Sequence, residues 1–342
     1  MAVSNTRNTD RINYLNIGLM GVACAVAFVI PFELFLFAYA VLGPAHYLTE
    51  ISWLEKRKFF TQGKYDFWLL GALAAFGSFT LAPTPQSDAT YTLLALGCAL
   101  VFLLSGKVAP RILGLIPVII LAIILVNNTG FLVVAIALFV PTLVHVYLFT
   151  GIFMIYGALK ERSRSGYLAF GCFLLCPLAF LLVHPDVHLP AREAMIMFWN
   201  NFSQLDLTIL GIPRPHDPAS ASAAFDAIFS SRAGLTAMRF IAFAYTYHYL
   251  NWFSKTSIIK WHEVSRTRIA VIGVLWAGSV GLYLYNFSLG FKCLFFLSLT
   301  HVYLEFPLNH LSIIGTWREV RGRFGGVPPP PVPVGRRRRA TA

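Results

Sequence analysis

The sequence predicts an all-α protein, a polytopic integral-membrane helical bundle of about ten transmembrane helices with its N- and C-termini cytoplasmic. Three observations predict it. Of the 342 residues, 57% are hydrophobic and only 12% charged, whereas soluble domains carry roughly a quarter charged residues. The apolar residues gather in runs of the length, about 20 residues, that crosses a hydrocarbon core. The basic residues lie between and after those runs, with a strong bias to one side.

In chain order, residues 1–11 are polar and read as a disordered tail. Ile12–Trp53 is a predominantly apolar run, too long for one span. Pro31 divides it, since proline suits the first turn of a new helix, giving spans 12–30 and 32–54 across a very tight turn. Lys56-Arg57-Lys58 closes the second. Further spans follow at 66–82, 89–105 and 110–126, and 127–130 is a turn. The span 131–158 contains Pro141, four residues before His145, which should kink the helix and free a carbonyl near that histidine. The seventh span is 166–183. Residues 184–232 form a long extramembrane loop, with an interfacial helix expected in Ala191–Leu210 and Pro/Ser/Ala-rich loop over 213–224. Spans at 233–254, 268–286 and 291–314 complete the transmembrane domain, 12–324. The remainder, 325–342, is a disordered Pro/Arg-rich cytoplasmic tail.

Charge tests this topology. With a cytoplasmic N-terminus, 22 of the 27 Lys and Arg fall on the inner side. Four (Arg192, Arg214, Arg232, Lys292) fall outside, and Arg239 lies within a span. A wrong helix count would scramble that asymmetry, so the positive-inside rule supports both count and orientation, in a plasma or inner membrane. The net charge of +12 therefore belongs to topology. No aromatic or groove-reading pattern accompanies it, which argues against nucleic acid, and Arg336–Arg339 are placed to meet anionic lipids. The five cysteines all lie in apolar runs, without Cys-x-x-Cys spacing, and read as small packing residues.

Ionisable residues inside spans are costly and mark function. Four histidines stand out: His46, His145, His248 and His301. All lie on spans predicted to run from outside to inside, each in the middle or cytoplasmic half. Packed helices, with axes roughly 8–10 Å apart, can bring four such rings to one point. Local sequences also pair: His46-Tyr-Leu-Thr with His248-Tyr-Leu-Asn, and His145-Val-Tyr-Leu with His301-Val-Tyr-Leu. Glu50 and Glu305 each follow a histidine by four residues, on the same helix face. They are candidates for catalytic groups, either as direct ligands or as acceptors that fix a histidine tautomer. His310 and His262-Glu263 are second-rank candidates. Tyr47, Tyr147, Tyr247, Tyr249, Tyr303 and Trp252 should surround the site. Glu33 and Arg239, at comparable outer depth, should form a buried ion pair. His184 and His188 offer a weaker outer pair.

A histidine-rich site with an adjacent carboxylate suits non-haem iron, as Fe(II). Several membrane helices with His46, His145, His248 and His301 aimed at a central metal resemble, in plan, the Brp/Blh family of integral-membrane carotene dioxygenases. The family's His-Gly/Ala-rich signatures are not matched, since Tyr-Leu-Thr-Glu follows His46. The resemblance implies an iron-dependent oxygenase acting on a lipid-soluble small molecule. Two alternatives use the same residues: a bis-histidine haem or pigment-binding electron-transfer protein, for which His145 and His248 suffice, and a proton-coupled transporter. The tight histidine boxes of membrane desaturases are absent.

Overall fold

The computed structural model describes residues 2–80, 84–127, 130–185 and 190–323, with side chains from residue 8 onward. Among them no strand occurs, as expected where apolar surroundings oblige a backbone to satisfy its own hydrogen bonds. The helices are α1 (Ala2–Val29), α2 (Pro31–Phe37), α3 (Gly43–Lys56), α4 (Asp66–Phe79), α5 (Pro85–Leu104), α6 (Val108–Val126), α7 (Phe131–Val134) and α8 (Thr150–Glu161). They continue as α9 (Arg164–Leu182), α10 (Arg192–Ile209), α11 (Pro218–Phe229), α12 (Arg232–Ser254), α13 (Thr256–Ile259), α14 (Arg266–Tyr285) and α15 (Phe287–Arg323). Two π-helical segments interrupt this series, Ala38–Leu42 between α2 and α3 and Ala135–Phe149 between α7 and α8.

Among the described residues each apolar run read from the sequence is helical over most of its length, and eight helical stretches are long and apolar enough to cross a membrane. The two of the ten expected spans outside that set are α4 and α12. With 14 residues, α4 is about 21 Å long, short of a hydrocarbon core. The 23-residue α12 carries Arg239, Asn251 and several tyrosines along its length. Pro31 does open α2, after Ile30 breaks the helix at φ −133° and ψ 60°. Pro141 falls inside the longer π segment, where the looser turn accommodates its missing N–H.

Three expectations need correction. Helix α1 begins at Ala2, so the polar first residues are helical. The supposed loop over 213–224 contains the start of α11. Its signal was local: Asp217 caps the helix by accepting from the Ser220 amide at 2.8 Å, with Pro218 in the first turn. Glu33 and Arg239 do not pair. Glu33 Oε1 accepts instead from the Ala191 amide at 2.9 Å, and Arg239 Nη2 donates to the Pro185 carbonyl at 3.3 Å, its guanidinium over the Phe28 ring. The stretch 191–210 does form a helix, α10. His188 and the tail with Arg336–Arg339 lie outside the described residues.

The chain forms two compact units. In the first, residues up to His46 with Glu161–Leu294, α1 packs on α9 and α12, and α2 packs on α10 and α12. Asn16 locks α1 to α12: its Oδ1 accepts from the hydroxyls of Tyr247 and Ser254, both at 3.1 Å. Phe35 meets Phe198, Phe202 and Tyr245 edge-on, the preferred geometry of aromatic quadrupoles. Trp276 of α14 donates its indole N–H to the Val41 carbonyl at 2.9 Å, serving an acceptor inside the shorter π segment.

Asp206 of α10 is wholly buried in this unit, with no hydrogen-bond partner on either carboxylate oxygen. Burial pushes its pKa up to about 8. The folded state then keeps a proton that the unfolded chain releases near pH 4. Stability is present below pH 4 and is lost as pH rises towards 8, by on the order of 5 kcal/mol. Asp206→Asn should abolish that part of the slope, so wild type and variant diverge between pH 4.5 and 8.5 in thermal unfolding. Parallel curves would contradict a buried, proton-holding Asp206.

The second unit comprises Tyr47–Lys160 and the residues from Phe295 on. Here α5 packs against α4, α6 and the longer π segment. One end is held by Asp66, which receives both Arg111 Nη1 and Nη2 at 2.8 Å and the Gly63 amide at 2.7 Å. Arg111 Nε reaches the Ser105 carbonyl at 2.8 Å. This clasp sits beside a left-handed turn at Lys58–Phe60, with φ of 52–57°, a conformation that costs ordinary residues about 1–2 kcal/mol each.

Candidate metal centre

The four histidines are placed by different helices: His46 in the first turn of α3, His145 in the longer π segment, His248 in α12 and His301 in α15. All four are buried, with relative exposures of 1%, 2%, 7% and 2%. Two of them lie just after or within π-helical backbone, which is rare and concentrates at functional sites.

Each histidine meets another through the same ring atom. His46 and His248 have their Nε2 atoms 3.1 Å apart, and His145 and His301 repeat that distance, also Nε2 to Nε2. Taken together, one ligand atom from each of the four lies within 4.8 Å of the other three. Two ring nitrogens at this separation need a proton or a cation between them. For metal–nitrogen bonds of about 2.0–2.1 Å, ligands on one ion are separated by about 3.0 Å at right angles and about 3.4 Å at the tetrahedral angle. The observed 3.1 Å lies between those values.

The surroundings fix the rings. Tyr47 stacks on His301 with centroids 4.2 Å apart, while Tyr249 and Trp252 pack against His46 at 5.2 and 5.4 Å. Other residues of the expected aromatic set serve elsewhere: Tyr247 bonds Asn16, and Tyr303 shares a 3.0 Å hydroxyl contact with Thr92. Glu305 Oε2 is 3.1 Å from His145 Nδ1, an ion-pair distance not aligned as a hydrogen bond. A carboxylate on Nδ1 leaves Nε2 as the metal-facing atom, the arrangement that orients histidine ligands and raises their basicity. Glu305 therefore stands on the Nδ1 side of His145, away from the Nε2 contact with His301. Glu50 is buried one turn beyond His46 in α3, within electrostatic reach of Glu305.

Glu305→Gln should keep the fold and weaken metal affinity by about 10–100-fold, read by competition against a chromophoric chelator. Unchanged affinity would mean that the carboxylate does not orient His145.

The second-rank candidates are not part of the cluster. His310 Nε2 is 2.9 Å from the Leu96 carbonyl, a structural contact. His262 is exposed, and its neighbour Glu263 pairs with Lys260. His184 turns to the Leu181 carbonyl. Sequence reasoning missed Asn309, two turns after His301 in α15. It is 1% exposed, and neither amide atom has a hydrogen-bond partner. Its i, i+8 spacing from His301 was the available signal.

Comparison with protein families, characterised proteins and solved structures finds no match. A buried four-histidine cluster in an apolar, all-helical chain fits a membrane metal-binding protein.

Proposed function

We propose that the chain is a membrane-embedded non-haem iron enzyme of the oxygenase or oxidoreductase type, acting on a lipid-soluble substrate. The observation that carries this reading is the burial of four histidines with their ligand atoms within 4.8 Å of one another. His46, His145, His248 and His301 would hold the ion, Glu305 would orient His145, and Glu50 would supply a second carboxylate beside it. Imidazoles with nearby carboxylates favour a first-row ion such as Fe(II). Such an ion supplies oxygen activation when bound. The protein's own contribution is to fix the rings, exclude bulk water and admit an apolar substrate from the bilayer. The resemblance of plan to the Brp/Blh family makes a carotenoid the first substrate to try.

The haem reading needs His145 and His248 to face each other, whereas the 3.1 Å contacts join His145 to His301 and His46 to His248.

Protein purified in detergent should contain one equivalent of iron and show no Soret-like band. An intense porphyrin band would move the case to electron transfer. Absence of any metal from protein expressed in iron-rich medium, with none taken up by the stripped protein, would end the metal reading.

A further inference from the structure

A site buried to this degree needs a route by which an ion reaches it. α15 carries His301, Glu305, Asn309 and Ser312 at steps of four, four and three residues, which keeps them on one helix face. All four are buried to 3% exposure or less. At about 1.5 Å per residue, this stripe runs about 16 Å from His301 towards the C-terminal end of the helix. That end carries Arg318, Arg321 and Arg323.

The stripe is not explained by packing. A buried amide without a partner costs about 1–3 kcal/mol per lost hydrogen bond, and Asn309 leaves both its nitrogen and its oxygen in that state. By contrast, Phe149 and Phe153 occupy the turns that follow His145 on its own face. Glu305 adds carboxylate oxygens at the inner end of the stripe. Oxygen donors in succession suit a hard divalent cation.

We propose that Glu305, Asn309 and Ser312 form a transit path for a divalent cation, with the Asn309 amide as its intermediate station, leading from the C-terminal end of α15 to the histidines. The path rests on the reading of the histidines as a metal centre. The Asn309 carbonyl oxygen replaces part of the ion's hydration shell midway along the path. Final affinity belongs to the histidines, so the path governs how fast the centre fills and leaves how tightly it binds unchanged.

The test uses full-length protein stripped by chelator, with Co(II) as the probe and its visible d–d absorption as the readout of histidine ligation. Asn309→Leu, nearly isosteric and without donor atoms, should slow loading at least tenfold and reach the wild-type end point. Asn309→Asp should load at the wild-type rate or faster. Ser312→Val, one turn further along, should also slow loading, and it carries the test if Asn309→Leu fails to show a cooperative melt. Wild-type loading rates in Asn309→Leu, or in Ser312→Val where the first does not fold, overturn the path and leave the centre intact. Failure of the wild type to take up Co(II) overturns the centre, and the path with it.

Discussion

His145→Ala and His301→Ala each retain less than a tenth of an equivalent of metal at a free concentration that saturates the wild type. Structural metal sites in small folds bind with apparent free energies of about 10–16 kcal/mol. One ligand in four therefore accounts for roughly 3 kcal/mol or more, over a hundredfold in affinity. His46→Ala and His248→Ala should lose metal similarly, since each also belongs to a 3.1 Å pair. His310→Ala is the control. It is nine residues from His301 in the same helix, but its ring faces the Leu96 carbonyl, so metal content should not change. Elemental analysis on protein of matched thermal stability decides the matter. Equal metal in His145→Ala, His301→Ala and wild type would refute the cluster.

Asp66→Ala should be the most destabilising single change away from the centre, by about 3–5 kcal/mol. Asp66 is 6% exposed and Arg111 19%, so truncating the acid strands a largely desolvated guanidinium. It also removes the acceptor of the Gly63 amide. That amide follows the left-handed turn at Lys58–Phe60, so the loss falls on a segment already under strain. Asp66→Leu combined with Arg111→Leu should recover much of the deficit, because replacing both charges leaves none unpaired. Denaturation of the three proteins measures both effects. Equal stability of Asp66→Ala and wild type would show the clasp to be incidental.

Much of this was legible in the sequence because spans and site share one constraint, the cost of polar groups in hydrocarbon. That cost makes apolar runs conspicuous, and it makes His46, His145, His248 and His301 conspicuous within them. It does not reveal who partners whom. Glu33 and Arg239 stood at equal depth in different spans and looked like a pair, yet the Ala191 amide and the Pro185 carbonyl claimed them. Depth is a one-dimensional coordinate, and rotation about the helix axis decides contact. For the same reason the face shared by His301 and Glu305 was readable within one helix, whereas the approach of Glu305 to His145 required two. Helix α11 was missed because composition outweighed the cap at Asp217. Asn309 was passed over because asparagine in a span is unremarkable until its amide is found without partners.

The two π-helical segments bear on how such a chain can vary. A π turn is an α turn holding a surplus residue, so what lies beyond it is aimed by a count of residues as well as by their polarity. Ala38–Leu42 ends four positions before His46, and Ala135–Phe149 contains His145. Exchanging one aliphatic residue for another in either segment leaves the count alone. Losing a single residue would swing the downstream ring by about 100° while barely altering hydropathy. The lineage of this protein should therefore tolerate substitution in these segments and resist changes of length. Helix α6, whose side chains are largely exposed, has no ring to aim and should accept both.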